Sequence, residues 1–157
     1  MFKVRAYRAV LKPEERTPDK LMVGWFFLAN GGRAYIIRDE PRIGSPEWQQ
    51  DNIEDLGWRI VEIDISTAAV ATGKLDKHGA EIFGSMDKMG GGDKIYWGQG
   101  KHRVRRKITW SPHYLTWGAV SAHTYSGLIY LQSREIEIIH RRISNGKEEL
   151  AFERIEP

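Results

Sequence analysis

The chain has 157 residues, 41% of them hydrophobic and 29% charged, which is enough apolar material for one folded domain, with or without a small subdomain, and too much for a disordered chain. It has no cysteine, which excludes disulfides, cysteine-ligated zinc and thiol catalysis and fits a reducing cytoplasm. The formal charge is only +3, no apolar run approaches the ~20 residues of a membrane span, and the opening Met1-Phe2-Lys3-Val4-Arg5-Ala6-Tyr7-Arg8 mixes charge with apolar residues as no signal or transit sequence does, so no membrane partner is expected.

Residues Phe2 to Tyr7 alternate with period two, which predicts a half-buried strand with Val4 facing away from Lys3 and Arg5. Pro13 to Lys20 is a polar connection. The apolar run Leu21 to Ala29 ends at Asn30-Gly31-Gly32, where glycine supplies the positive φ of a tight hairpin turn, and Ala34-Tyr35-Ile36-Ile37 returns as its partner strand. Ser45-Pro46-Glu47 reads as a helix start, with Ser45 as cap, Pro46 in the first turn and Glu47 at the positive end of the dipole. The predicted helix runs to about Leu56 and stops at Gly57, with Trp48 and Leu56 near one face and Ile53 at its margin. Trp58 to Ile65 is a predicted strand.

Ala71 to Phe83 reads Ala-Thr-Gly-Lys-Leu-Asp-Lys-His-Gly-Ala-Glu-Ile-Phe and holds two glycine-centred turns. Asp76 is placed to bond the backbone two residues on, and Gly79 to take positive φ, in a hairpin between Leu75 and Ile82. The segment Thr72-Gly73, then Asp76-Lys77-His78-Gly79-Ala80-Glu81-Ile82-Phe83, resembles the phage-borne YopX family, in which Thr-Gly is followed by Asp-Lys-Asn-Gly-Lys-Glu-Ile-Tyr. The likeness covers roughly Trp58 to Phe83, with weaker echoes in Lys3-Val4-Arg5-Ala6-Tyr7 and around Ile136 to His140. In the family the next strand follows almost at once. Here Gly84 to Gly91 intervene before Gly92-Asp93-Lys94-Ile95-Tyr96, which predicts a mobile surface insertion over residues 84–92. Its Gly90-Gly91-Gly92 lacks the Gly-Lys-Ser/Thr ending and the strand-loop-helix setting of a phosphate-binding loop.

From Lys94 onward the pattern is β. Strands are predicted over Lys94 to Trp97, Arg103 to Trp110, Leu115 to Val120, Leu128 to Gln132, Glu135 to Arg142 and Glu149 to Ile155, at the spacing of a small barrel or sandwich. Ile136 and Ile138 face away from Glu135 and Glu137, and Asn145-Gly146 predicts a type I′ hairpin turn. The expected fold is therefore mainly β with one short helix. The resemblance implies an SH3-like partial barrel in the C-terminal half, so that one domain spans 1–157, with strands and helix over 1–65 and the barrel-like half over 66–157. It also implies a phage or prophage protein acting in the bacterial host cytoplasm, in a family with no generally established chemistry. Self-association as a homo-oligomer is expected from the several strand edges and six tryptophans.

The basicity is local. Five of the 24 basic residues fall in Lys101 to Lys107, leaving 19 against 21 acidic residues elsewhere. In an extended chain Lys101, Arg103, Arg105 and Lys107 project to one face, and His102, Val104 and Arg106 to the other. Such a row along a sheet edge, with Trp97 and Trp110 as flanking stacking surfaces and Arg106 beside it, suits a non-enzymatic module that contacts nucleic acid or an acidic host protein. The alternative function is sequestration of a small anionic nucleotide between subunits by the same residues. A competing structural account makes the run a charged edge strand that prevents aggregation and the tryptophans core. The five histidines, His78, His102, His113, His123 and His140, have no metal-ligand spacing, and no catalytic residue, metal or cofactor is expected.

Overall fold

The structure is a computed structural model that describes residues 2–38 and 60–139 and the backbone of residues 141–144 and 147–150. Six strands form the first sheet: β1 (Lys3–Ala6), β2 (Met22–Leu28), β3 (Ala34–Arg38), β4 (Ile60–Ile63), β5 (Ala69–Leu75) and β6 (Glu81–Gly84), in the order β4-β3-β2-β1-β5-β6. Five form the second: β7 (Lys94–Trp97), β8 (Val104–Ser111), β9 (Thr116–Val120), β10 (Tyr125–Gly127) and β11 (Ile136–Ile138), in the order β10-β9-β8-β7-β11. β12 (Arg141–Ser144) and β13 (Lys147–Leu150) pair with each other. Every pairing of named strands is antiparallel, as hairpin connections favour. Neither sheet closes on itself, so the C-terminal half is an open sheet rather than a closed barrel. The sheets divide after Gly84 and not at Ile65, because β5 pairs with β1.

Alternation decides the cores. Val4, Ala6, Ile36, Val61, Ile63 and Val70 come from one face of the first sheet and pack together, while Ile95, Ile108, Ala119, Ile136 and Ile138 pack beneath the second. Trp117 touches both clusters, and its ring occupies the space that a β-carbon on Gly84 would need. Ser85 ties the sheets together: its amide donates to the Ile108 carbonyl at 3.0 Å, and its own carbonyl accepts from the Trp110 amide at 2.8 Å.

Two buried carboxylates hold the joints. Asp93 accepts from Arg5 at 2.7 Å and from the Phe83 amide at 2.8 Å. Asp76 accepts from the amides of His78 and Ala80, both at 2.9 Å, and of Ile138 at 3.3 Å, so the β5–β6 turn is bound to β11. Gly79 has φ +79°, as the turn chemistry requires.

Segment 84–92 is not the peripheral insertion that its glycines suggest. Met89 is buried in the first core with Met86 packed against it, and the amides of Gly90, Gly91 and Gly92 donate to Ser66 O, Ala68 O and Ser85 Oγ. A β-carbon on Gly91 would collide with the Thr67 carbonyl. The glycines are there for close approach, not for slack. The expected strand Leu128 to Gln132 is also replaced: β10 lies earlier, and Leu128–Tyr130 forms a 3-10 turn. Its period of three buries Leu128 and Leu131 together, whereas a strand would bury Leu128 with Tyr130. Among the described residues, helical structure is limited to such three-residue turns, and no helix is long and apolar enough to cross a membrane. The expected helix from Pro46 to Leu56 and the Asn145-Gly146 turn lie outside the described residues.

Candidate nucleic-acid interface

The basic run enters β8 through a 3-10 turn at Gly100–His102, which leaves Lys101 in the turn, outside the alternation of the strand. β8 is the central strand of five, flanked by β9 and β7. It has no free edge, so protection against edge-to-edge pairing does not account for its charge. Residues directly opposite in an antiparallel pair share a face, which lets the register assign each side chain. Arg105 lies opposite Tyr96, and Tyr96 opposite Glu137. Lys107 lies opposite Lys94 on one side and Val120 on the other, and Val120 opposite Tyr125. These residues form the outer face, turned away from the Ile95 and Ile108 core.

Arg106 belongs to the opposite face, because it is paired with the core residue Ile95. Both expected stacking surfaces also lie on that side. Trp97 packs against the second core, and Trp110 makes an edge-on contact with Trp117 at 5.3 Å between ring centres. The run therefore divides, with Arg103, Arg105 and Lys107 outside and Arg106, Trp97 and Trp110 inside.

The aromatic that serves the outer cations is Tyr96. The guanidinium of Arg103 stands 4.7 Å from its ring centre and that of Arg105 5.9 Å, so cation–π attraction draws both toward one ring. Glu137 is the only carboxylate in the five strands. It is ringed by Lys77 at 2.8 Å, Arg103 at 3.4 Å and His78 at 3.8 Å, which arrive from the Asp76 turn and from the start of β8. The Lys77 hydrogen bond first, then the charges of Lys77, Arg103 and His78, hold its pKa below the ordinary value despite partial burial. Among the described residues no carboxylate pairs with Lys94, Arg105 or Lys107.

Sequence reasoning missed Tyr96, Lys94, Lys77 and Glu137. Lys94 and Tyr96 were legible in principle, since a four-residue strand Lys94–Trp97 antiparallel to β8 fixes their parity; Lys77 and Glu137 depend on how the Asp76 turn docks on β11.

A cleft of about 440 Å³ between the sheets is lined by Arg5, Glu81, the backbone of Gly90 to Gly92, Asp93 and Lys94. It makes a poor anion cradle, because Arg5 is committed to Asp93 and to the Gly91 carbonyl and the three glycine amides are already bonded. Among the described residues, no group of three potential metal ligands stands together. In comparisons with family models, curated proteins and solved structures, nothing matches this chain.

Proposed function

We propose that the outer face of the second sheet is a non-enzymatic binding surface for nucleic acid, with Arg105, Lys107 and Lys94 as the phosphate-contacting cations. The observation that carries this reading is the direct opposition of Lys94 and Lys107 on interior strands, with no neutralising carboxylate among the described residues. Like charges facing each other across a ladder destabilise a sheet. A bound polyanion removes that penalty and releases its own counterions. An acidic protein surface could remove it too, but the spacing of cations along adjacent strands suits a chain of phosphates. The resemblance to the YopX family supports the setting, a phage or prophage protein acting in the bacterial host cytoplasm, while the strand edges and the tryptophans support self-association.

Fluorescence anisotropy with single- and double-stranded oligonucleotides at about 50 mM salt tests the proposal. The double variant Arg105→Gln/Lys107→Gln should bind about ten- to hundredfold more weakly, as expected for two lost phosphate contacts at low salt. A control at Lys12 and Lys20, exposed on the first-sheet side, should bind as the unaltered protein does. Equal affinity of both variants, or no binding by the unaltered protein, overturns the proposal.

A further inference from the structure

Beyond the cations, the same face carries a strip of tyrosines. The ring of Tyr125 sits where a β-carbon of Gly118 would lie, and the ring of Tyr130 comes within 2.9 Å of the place a β-carbon of Gly127 would take. Gly118 and Gly127 are opposite each other, and Thr109 of β8 continues the row. The two glycines thus form a floor without side chains on which aromatic rings rest. Tyr114, from the turn between β8 and β9, stacks on Tyr125 at 4.7 Å with 25° between ring planes. The outermost rings are strongly exposed, Tyr114 at 60% and Tyr130 at 86%. Exposed aromatics of this size cost hydration free energy, and packing within the fold does not require them.

The register sets their distance from the cations. Tyr125 lies two strands from Lys107 through Val120, about 10 Å at ~4.8 Å per strand spacing. A flexible polynucleotide crossing β8, β9 and β10 would lay its phosphates along Lys94, Lys107 and Arg105 and turn its bases onto Tyr114 and Tyr130. A duplex keeps its base faces stacked on one another and has none to offer these rings.

We propose that Tyr114, Tyr125 and Tyr130 form a stacking platform for unpaired bases, so that the ligand of this face is single-stranded nucleic acid in preference to duplex. The inference rests on the nucleic-acid reading above and adds the class of ligand. Charge complementarity favours a polynucleotide over an apolar protein partner, because the ring strip adjoins cations that no acid pairs among the described residues.

The test compares the full chain with Tyr130→Ala, Tyr114→Ala and Tyr130→Phe, using an unstructured oligonucleotide, its duplex and a poly-glutamate peptide at fixed salt. Both residues are exposed enough for the alanine variants to fold, and Tyr130→Phe keeps the ring. The unaltered protein should prefer the single strand. Each alanine variant should lose about five- to hundredfold in single-strand affinity, with duplex affinity and salt slope unchanged and the phenylalanine variant near the original. If single strand and duplex bind equally and the alanine variants alter neither, the platform is overturned while the cationic reading stands. If no nucleic acid binds at all, both fall. If poly-glutamate binds more tightly than the oligonucleotide in a Tyr130-dependent way, the platform belongs to an acidic protein partner and the inference is overturned.

Discussion

Glu137 occupies the place among Lys77, Arg103 and His78 that a phosphate oxygen would seek, and so limits how far an anion can extend toward β11. Glu137→Gln frees two cations, and oligonucleotide affinity should rise by about fivefold, the equivalent of one exposed charge pair of ~1 kcal/mol. The same substitution should cost stability in a pH-dependent way. The native pKa of Glu137 lies below its ordinary 4.5, so between the two values the unfolded chain holds the extra proton and stability rises with pH. The Tm difference between the original and Glu137→Gln should therefore be full at pH 7 and shrink as pH falls below about 4.5; a difference that grows on acidification would contradict the ion-pair account. At this scale the sequence was half legible. Period-two alternation placed Arg103, Arg105 and Lys107 on one face, but the same alternation sends Trp97 and Trp110 to the inner face, and the aromatic beneath the guanidiniums is Tyr96, one residue from the expected tryptophan.

At the scale of elements, segment 84–93 is a packed connector whose glycines let the chain pass close to Ser66, Thr67 and Ser85. Gly91→Ala should destabilise by about 1 to 3 kcal/mol, since the clash is with backbone and cannot be relieved by a rotamer. Met89→Ala should cost about 2 to 5 kcal/mol by emptying its place in the first core. Urea denaturation checks both; midpoints indistinguishable from the original would restore a loose insertion. Glycine richness alone does not separate slack from close approach, because the distinction lies in what stands opposite, and Thr67 is 24 residues away in sequence. Strand elements were more legible: Lys94–Trp97 matches residue for residue, and β8 and β9 are displaced by about one residue at their ends. The turn at Leu128–Tyr130 was misread because four consecutive large apolar residues carry no visible period until the burial of Leu128 and Leu131 reveals one of three.

At the scale of the whole molecule, the two sheets have different tasks. The first, ordered around β1, closes a core and supports the second through Ser85, Asp93 and Asp76; the second presents a nearly acid-free outer face. Mainly β character was legible in the sequence from alternation and turn spacing. The strand order was not, because the insertion of β1 between β2 and β5 and the return of β11 to β7 are long-range pairings that no local pattern encodes, and it is the second of these, added to the β7–β8–β9–β10 meander, that makes β8 the central strand of five. The most direct measurement of the central claim is the salt dependence of oligonucleotide binding by the original protein and by Lys94→Gln/Arg105→Gln/Lys107→Gln. At about 0.7 released counterions per single-strand phosphate contact, the triple variant should lose about two units of the slope of log K against log salt, with folding unchanged by circular dichroism. An unchanged slope in a folded triple variant would contradict the account, since the polyanion would then be held elsewhere on the molecule.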